Sequence, residues 1–484
     1  MSSLEELYRP SPALVTDLYQ LTMACGYWRH AMAERETVFH LSFRSNPFHG
    51  GFTIGAGQGL VADLLSRYRF CDQDLAYLAT VAGPDGELLF PAPFLDYLAS
   101  LHLECDVLAV DEGTVLFPGE PLLRVQGPLL QAQLLETVLL NTVSFQSLIA
   151  TKAARICLAA GDSPVLEFGL RRAQGTGGGV EGARAAFIGG CAATSNVLAG
   201  RLWGIPVRGT HAHSWVMAFS DEERALRSYA EVFPGNATIL VDTYDSERGV
   251  EIAAKVAASL REGGYELGGV RLDSGDLVAL SQYARRVLDD ADFPEARVVA
   301  SGDLDEHEIV RLKEAGARID VWGVGTRLAT GWGQPAMQAV YKLSAIRAAS
   351  GAWSYRTKRS EEVAKSSTPG ILQIARFLDG GRCRADVVFN EEEGVELAAG
   401  KVVWPDVPPV LPAGPPVLLL KPIFLDGRPT GPSPGLEEIR RHVHDEIESL
   451  PPGVGSLRPK TRYPVGMARR LHQLQRRLWS GAGP

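Results

Sequence analysis

Short apolar runs alternate with amphipathic stretches through the middle of the chain. The runs lie at residues 165–168, 205–207, 237–241, 269–272, 297–300 and 319–324. Apolar positions recur with a helical period between them, at residues 222–231, 249–262, 277–289 and 306–314. This alternation predicts strand–helix repeats and therefore a parallel sheet. Polar, reactive residues follow nearly every run, which favours an irregular TIM-like α/β barrel, because its strand ends all meet on one face. An open sheet gathers such residues only at its switch point.

The segments on either side of these repeats lack the regular alternation. Residues 106–126 alternate apolar and polar positions around two turn signals, which predicts a hairpin. Residues 43–59 are rich in glycine and aromatic residues, as is typical of a loop that faces a ligand or a partner. Helices are predicted at residues 15–28, 129–159, 436–450 and 465–479, and an exposed loop at 358–370. We expect residues 1–140 and 346–484 to form one α+β domain and residues 141–345 to form the barrel.

Composition narrows the class of protein. Of 484 residues, 45% are hydrophobic and 22% are charged, which is ordinary for a globular protein without membrane spans. The net charge of −9 argues against a general nucleic-acid binder. The six cysteines form no CxxC pair, so a zinc ribbon or a disulfide framework is not expected. Neither a signal peptide nor an apolar run of membrane-spanning length is visible, and we expect a cytoplasmic protein.

The first run of the repeats leads into the sequence Glu167-Phe168-Gly169-Leu170-Arg171-Arg172. The glycine-rich stretch 174–179 follows it. Two arginines beside bare backbone N–H groups can hold a phosphate or a diphosphate. The alternative is a surface turn with solvated arginines. The stretch is not a Walker A loop, because no Lys-Ser/Thr follows the glycines.

The second run ends in a segment with two histidines, Thr210-His211-Ala212-His213-Ser214. A histidine at a strand end can take a proton, bind a metal or accept a phosphoryl group. A lone histidine would more often be a satisfied core or surface imidazole. The choice therefore depends on the residues at the other strand ends.

Those other strand ends carry charged groups, hydroxyls and glycines. Arg271 and Asp273 are two residues apart on a strand, so their side chains point to the same side of it. They either face a binding site together or form a structural ion pair. Possible phosphate donors and sugar contacts follow the later runs, at Ser301, Gly302, Asp303 and the Gly-x-Gly-Thr sequence 323–326. Together the strand ends indicate a sugar phosphate, a small planar anion and a phosphorylatable histidine as the chemistry of the site.

Five motifs, in chain order, resemble those of the nicotinate phosphoribosyltransferases. They are residues 15–23, 167–175, 209–214, 271–276 and 323–326, and a looser match at 366–370 resembles a later loop of that family. The resemblance implies an enzyme that joins nicotinate to 5-phosphoribosyl-1-diphosphate and releases nicotinate mononucleotide and diphosphate. It also implies coupling to ATP hydrolysis through a phosphohistidine, a requirement for Mg²⁺ held mainly by the diphosphate, and a homodimer with shared active sites.

The same resemblance implies how nicotinate would be held. Phe168 would stack on one face of the pyridine ring, and Tyr19 of the second subunit would stack on the other. Arg271 and Thr210 would hold the carboxylate. His213, rather than His211, would be the residue that is phosphorylated.

It likewise implies contacts to the sugar phosphate. Arg171 would lie near the diphosphate, and Asp273 and Asp303 near the ribose or the metal. Gly325 and Thr326 would hold the 5-phosphate, and the strand-end pattern adds Ser301 and Gly302 as possible donors to a phosphate. His213, Asp273 and Arg171 would be the catalytic residues.

Other functions stay open at this point. A nicotinamide phosphoribosyltransferase would share the fold, but no carboxylate near residues 207–210 suits an amide nitrogen. A quinolinate phosphoribosyltransferase would have a second carboxylate to neutralise and would resemble a shorter family without ATP. A non-catalytic nicotinate or nucleotide sensor is disfavoured by the intact His213, Arg271 and Asp273. A barrel isomerase or aldolase would be expected to place a Schiff-base lysine or a clear base at a strand end, and we find no lysine at the six ends.

Overall fold

The computed structural model describes residues 11–358, 367–394, 400–412 and 414–480. The chain divides into two compact units. The first comprises Met1–Leu148 and Ala336–Pro484, and the second comprises Ile149–Pro335. The sequence places the domain boundaries at residues 140 and 345, and that division stays a prediction. The predicted loop 358–370 falls largely outside the described residues.

The strands are numbered along the chain. They are β1 (Glu36–Phe43), β2 (Thr53–Ile54), β3 (Asp106–Ala109), β4 (Val115–Leu116), β5 (Pro121–Pro128), β6 (Val165–Glu167), β7 (Ala193–Thr194), β8 (Thr238–Leu240), β9 (Gly269–Leu272), β10 (Arg297–Ser301), β11 (Val321–Val324), β12 (Ala339–Arg347), β13 (Trp353–Tyr355), β14 (Leu372–Asp379), β15 (Arg382–Asn390), β16 (Val402–Val403), β17 (Val417–Leu418), β18 (Lys421–Leu425), β19 (Arg428–Pro429) and β20 (Val465–Ala468).

The α-helices are numbered in the same way. They are α1 (Leu18–Arg29), α2 (Gln58–Ser66), α3 (Asp72–Leu78), α4 (Ala92–Ala99), α5 (Leu129–Leu134), α6 (Glu136–Ala160), α7 (Gly175–Ile188), α8 (Val197–Trp203), α9 (His213–Met217), α10 (Glu222–Val232), α11 (Ser246–Glu262), α12 (Leu277–Asp290), α13 (Glu306–Glu314), α14 (Thr326–Ala329), α15 (Leu436–Ser449) and α16 (Arg469–Trp479). Among the described residues, no helix is both long and apolar enough to cross a membrane.

The first unit is built mainly on antiparallel sheets. The larger has the order β13-β12-β1-β5-β3-β18-β19, and a second has the order β16-β20-β15-β14-β17. The predicted hairpin is present, because β3 and β5 pair antiparallel from Asp106 opposite Gln126 to Ala109 opposite Leu123. Fully buried apolar side chains such as Leu41 and Phe94 form the core of this unit.

The second unit contains a parallel sheet with the strand order β7-β6-β11-β10-β9-β8. All five neighbouring pairs of strands are parallel. The helices that connect them match the predicted amphipathic stretches, and α10 to α13 begin within three residues of the predicted starts. The prediction of a mixed α/β fold with a parallel sheet is therefore confirmed.

The second predicted strand, residues 205–207, is not a full strand. Val207 makes one isolated parallel bridge to Thr194, and the carbonyl of Pro206 accepts from the N–H of Thr194. Proline has no N–H to extend a ladder, which accounts for the single bridge. The strand beside β6 is instead β7, a two-residue strand that the sequence pattern did not reveal.

The glycine-rich stretch 174–179 is not the loop that the sequence suggested. It forms the start of α7, which continues to Ile188. The second half of that helix buries Ala183, Ala185 and Ile188 completely or almost completely. Packing of this apolar face stabilises the helix against the poor helix propensity of its glycines.

The hydrogen-bonded sheet ends at β7 on one side and at β8 on the other. At the β8 edge, the N–H of Leu240 donates to Nε2 of His211 at 3.1 Å. His211 follows Val207, whose bridge to Thr194 lies at the β7 edge. The ladder of the described strands does not itself close, so closure into a TIM-like barrel stays a prediction.

Candidate active site

Arg271 lies near the C-terminal end of β9 and contacts the ends of neighbouring elements. Its Nε donates to Ser301 Oγ at 2.8 Å and its Nη1 donates to Thr210 Oγ1 at 3.1 Å. Its Nη2 forms an ion pair with Asp273 Oδ1 at 2.7 Å. The side chain is 15% exposed. These three hydrogen bonds fix the plane and direction of the guanidinium, which is what bidentate recognition of a carboxylate requires.

Phe168 provides an aromatic face beside this cation. The Cζ atom of Arg271 lies 5.8 Å from the centroid of the Phe168 ring. The backbone N–H of Phe168 donates to the carbonyl of Val324 at 2.8 Å. A Cβ on Gly323 would come within 2.7 Å of a ring carbon of Phe168, so only glycine at that position leaves room for the ring. A cation and an aromatic face side by side suit a small planar anion.

Glu167 supports the turn that carries Phe168. It is buried, its Oε2 accepts from Thr194 Oγ1 at 2.5 Å, and its Oε1 accepts from the N–H of Gly169. Burial raises the pKa of Glu167, against the lowering effect of these hydrogen bonds. The sequence placed Glu167 in a motif but gave it no role, because the partner Thr194 belongs to the strand that the pattern missed.

The structure separates the two histidines of the 207–214 segment. His211 is 7% exposed, and its Nε2 accepts from the N–H of Leu240. Burial lowers the pKa of His211 to about 4, so the imidazole is neutral at physiological pH. Because Nε2 already accepts a backbone hydrogen bond, His211 is a structural residue.

His213 has a different environment at the start of α9. Its Nδ1 lies 3.2 Å from Thr243 Oγ1, which follows β8. Its Nε2 makes no hydrogen bond within the described part of the chain. An imidazole held through Nδ1 can present Nε2 to a reacting group. Thr243 thus contacts the imidazole of His213, and the sequence did not single it out, although it follows the apolar run 237–241 closely.

Two carboxylate residues, Asp242 and Asp273, follow the neighbouring parallel strands β8 and β9. Asp242 Oδ2 accepts from the N–H of Asp273 at 2.9 Å and from Ser274 Oγ at 2.8 Å. Asp242 Oδ1 is buried without a hydrogen-bond partner. Burial of Asp273 opposes its ionisation, but the hydrogen bonds from Ser301 and Arg271 outweigh that effect and lower its pKa. Asp273 is therefore a carboxylate at physiological pH.

The donor set fits a magnesium ion that is shared with a ligand. The described residues contain no group of three or more His, Cys, Asp or Glu side chains placed to hold a metal. Asp242 Oδ1 and the second oxygen of Asp273 nevertheless accept no hydrogen bond from a described residue. Mg²⁺ is usually bound through one or two carboxylates together with phosphate oxygens, and the free oxygen of the partly exposed Asp273 suits one such contact.

The end of β10 forms a tight turn against Asp273. Gly302 has a φ of +92°, and a Cβ there would lie 2.1 Å from the backbone oxygen of Asp273. Asp303 also has a positive φ, of 46°, and is exposed. The hydroxyl of Ser301 is occupied by Asp273, to which it donates at 2.5 Å, and by Arg271. Asp305 is the N-cap of α13 and accepts from the N–H groups of His307 and Glu308.

The remaining predicted residues are Arg171, Gly325, Thr326 and Tyr19, and Gly325 packs close to Phe168, since a Cβ there would lie 3.1 Å from the backbone oxygen of Phe168. Arg171 lies exposed in the one-turn 3₁₀ helix Leu170–Arg172. Gly325 and Thr326 lie at the start of α14, after β11. Tyr19 belongs to α1 in the first unit, where its side chain is 48% exposed, and burial together with Glu136 raises its pKa. Its placement against a pyridine ring stays a prediction.

Comparison with known proteins identifies the relatives of this chain. The model of the nicotinate phosphoribosyltransferase family matches residues 164–384, and the models of that family's N-terminal and C-terminal domains match residues 14–144 and 416–475. The nicotinate phosphoribosyltransferase of Bacillus subtilis (strain 168) is 46% identical over 76% of this chain and 74% of its own length. The human nicotinate phosphoribosyltransferase is 36% identical over 97% of both chains.

The crystal structure of human nicotinic acid phosphoribosyltransferase resembles this structure throughout. The TM-score is 0.81 at 34% identity, and the match covers 96% of this chain and 99% of that chain. This chain belongs to the nicotinate phosphoribosyltransferase family.

Proposed function

We propose that this protein is a nicotinate phosphoribosyltransferase. It joins nicotinate to 5-phosphoribosyl-1-diphosphate and releases nicotinate mononucleotide and diphosphate, the first step of NAD salvage from nicotinate. The observation that carries the proposal is the guanidinium of Arg271, held by three hydrogen bonds beside the ring of Phe168. That pair matches the carboxylate and the aromatic ring of nicotinate.

In this proposal nicotinate lies against Phe168 with its carboxylate on Arg271 and Thr210. Thr210 already accepts a hydrogen bond from Arg271, so both groups are aligned before the ligand arrives. Such alignment lowers the entropic cost of placing the ring nitrogen for attack on the ribose. Tyr19 of the partner in a homodimer covers the other face of the ring, which its 48% exposure allows.

The sugar phosphate occupies the neighbouring strand ends. Arg171 is an exposed cation without a partner among the described residues, and it is available to the diphosphate leaving group. Gly325 and Thr326 hold the 5-phosphate, and Gly302 and Asp303 border the ribose. Cleavage of the ribosyl–diphosphate bond develops negative charge on the leaving group, which Arg171 stabilises.

Magnesium supplies positive charge at the diphosphate when bound. Asp273 would hold it together with the diphosphate oxygens, since one oxygen of this partly exposed carboxylate accepts no hydrogen bond from a described residue. Asp273 is ionised because Ser301 and Arg271 lower its pKa, so it also balances positive charge that develops on the ribose.

ATP is the co-substrate, and Nε2 of His213 is the proposed phosphoryl acceptor. The hydrogen bond between Nδ1 and Thr243 supports this choice, because it orients the imidazole and leaves Nε2 available. A phosphoryl group there adds close to two negative charges beside Asp242 and Asp273. That charge would couple ATP hydrolysis to the position of the diphosphate.

We also propose that the parallel sheet closes in the manner of a TIM-like barrel. The segment from Val207 to His211 spans the two edges, with a bridge to Thr194 on one side and the hydrogen bond from Leu240 on the other. The contacts of Thr210 with Arg271 and of His213 with Thr243 agree with closure of this kind, because they join this segment to the ends of β9 and β8. We expect the protein to act in the cytoplasm, without nucleic-acid or membrane partners.

The decisive experiment measures product formation from nicotinate, nicotinamide and quinolinate, each with and without ATP. Nicotinate mononucleotide should form from nicotinate, faster when ATP is present, and the other two substrates should give little product. Turnover of nicotinamide without turnover of nicotinate would exclude the proposal and favour the amide-specific alternative. Nicotinate binding without any turnover would favour a sensor.

A further inference from the structure

Glu167 is a buried carboxylate that takes no part in the proposed reaction itself. The residue is 3% exposed, and its two oxygens accept from Thr194 and from the N–H of Gly169. No charged side chain in the described part of the chain offsets its burial. Burying a carboxylate without a counter-ion is unfavourable unless both oxygens accept strong hydrogen bonds. The two donors therefore show what Glu167 holds in place.

The first donor connects Glu167 to the turn that carries Phe168. The N–H of Gly169 donates to Oε1, so the side chain of Glu167 closes a hydrogen-bonded ring around the residue between them. The N–H of Phe168 donates to the carbonyl of Val324 at 2.8 Å, which holds the same turn on the β11 side. A Cβ on Gly169 would overlap the Cβ of Ala329, so the turn also packs tightly against α14. These contacts fix the backbone from which the ring of Phe168 projects.

The second donor connects Glu167 to the segment that carries Thr210. Oγ1 of Thr194 donates to Oε2 of Glu167 at 2.5 Å. The backbone of Thr194 contacts that segment twice, because its N–H donates to the carbonyl of Pro206 at 3.0 Å and its carbonyl accepts from the N–H of Arg208 at 2.9 Å. Thr210 follows soon after Arg208 in the chain. Thr194 therefore contacts both the turn that carries the aromatic ring and the segment that carries a carboxylate contact.

We propose that Glu167 and Thr194 are positioning residues for nicotinate, which align the ring of Phe168 with the carboxylate contacts of Thr210 and Arg271. This inference rests on the proposed function. Nicotinate is rigid and planar, so the face that stacks on Phe168 and the carboxylate that Arg271 binds are fixed relative to each other. A small shift of the turn would weaken one contact whenever the other is made.

Steady-state kinetics and titration calorimetry with nicotinate test the proposal. Glu167→Gln keeps the volume, but an amide has one acceptor oxygen and no charge, so at least one of the two hydrogen bonds is lost. The KM and the Kd for nicotinate should rise at least about tenfold. The value of kcat at saturating nicotinate should stay within about twofold, because the ring is contacted equally before and during the reaction.

The KM for 5-phosphoribosyl-1-diphosphate should change by less than about twofold in the same variant. The turn at Gly325 is held independently of Glu167, because its carbonyl accepts from the N–H groups of Leu328 and Ala329. A loss confined to nicotinate therefore distinguishes positioning of the ring from general damage to the unit. Glu222→Gln changes another buried glutamate of this unit, on α10, and is the matched control that should leave the KM for nicotinate unchanged.

Variants of Thr194 examine the same hydrogen bond from its other side. Thr194→Val removes the donor and should raise the KM for nicotinate about as much as Glu167→Gln does. Thr194→Ser keeps the hydroxyl and should retain the wild-type KM. In the double variant Glu167→Gln/Thr194→Val the combined effect should be clearly smaller than the product of the single effects, because both changes remove the same contact.

The outcomes separate this inference from the proposed function. A wild-type protein that neither binds nor turns over nicotinate would overturn the proposed function. With an active wild type, an unchanged KM for nicotinate in folded Glu167→Gln would overturn only the positioning role. So would a parallel rise in the KM for both substrates, or a Thr194→Ser protein as impaired as Thr194→Val. If Glu167→Gln does not fold, the two Thr194 variants decide the matter by the same criterion.

Discussion

Arg271→Lys is the substitution that most directly tests the proposed nicotinate site. Lysine keeps the charge but carries its three donors on one nitrogen, whereas the guanidinium contacts Ser301, Thr210 and Asp273 from three different nitrogens. A single ammonium cannot keep all three contacts in their present geometry, and the paired contact to the carboxylate of nicotinate is lost as well. Hydrogen bonds to charged groups contribute about 1.5–3 kcal/mol each, and partial compensation by the lysine reduces the total. We expect a loss of about 2–4 kcal/mol in transition-state binding, or roughly 30- to 1,000-fold in kcat/KM.

The assay is steady-state kcat/KM for nicotinate at saturating 5-phosphoribosyl-1-diphosphate and ATP. Arg311→Lys is the matched control, because Arg311 is an exposed arginine of the same unit, 61% exposed and paired with Glu308. It should leave kcat/KM unchanged. A folded Arg271→Lys enzyme whose kcat/KM falls by less than about threefold would refute the role of the three-contact guanidinium.

Four further predictions use other features of the structure. His211→Ala leaves the N–H of Leu240 without its acceptor and should lower the free energy of unfolding by about 2–4 kcal/mol in urea denaturation. His213→Ala should instead keep its stability and lose the stimulation of turnover by ATP, and retained stimulation would contradict the assignment. Gly302→Ala places a Cβ 2.1 Å from the carbonyl of Asp273 and should lower kcat/KM at least about tenfold, while Gly264→Ala, also at positive φ but with open space, should not. Burial and the neighbouring Asp386 raise the pKa of Glu120 well above 4.5, so the folded state holds a proton there that the unfolded state releases. Wild-type stability should therefore fall relative to Glu120→Gln as pH rises above about 4.5, by up to about 1.4 kcal/mol per unit; a difference that stays constant from pH 5 to 8 would contradict this.

The parallel sheet and its helices could be predicted because each repeat carries local signals. Helices α10, α11, α12 and α13 begin after Asp221, Asp245, Asp276 and Asp305, and each of these carboxylates accepts from backbone N–H groups of the first turn. The apolar spacing inside each helix then sets its length. Where local signals conflict, the prediction failed. Pro206 interrupts the hydrogen-bond ladder of the second expected strand. The glycines at 175–179 predict a loop, but they begin helix α7, which is stabilised by the packing of its buried second half.

The acidic residues at the strand ends serve two purposes that composition does not distinguish. Asp245, Asp276 and Asp305 directly precede a helix and act as N-caps. Asp273 follows β9 immediately and Asp242 lies two residues after β8, and the backbone N–H of Asp273 donates to the Asp242 carboxylate. The position of an aspartate relative to the next helix therefore distinguishes a helix N-cap from a candidate site residue. This position can be predicted from the sequence.

The roles of Asp242, Thr243 and Glu167 could not be read locally, because each depends on a partner far along the chain. Asp242 reaches Asp273 only because β8 pairs with β9 in the register that sets Leu240 opposite Arg271. Thr243 is 30 residues from the imidazole it contacts, and Glu167 is 27 residues from Thr194. The groups proposed to contact substrate lie in recognisable motifs, whereas strand register decides which groups orient them. Variants of Asp242 and Thr243, which lie outside those motifs, should therefore alter the geometry of the site while every family motif remains intact.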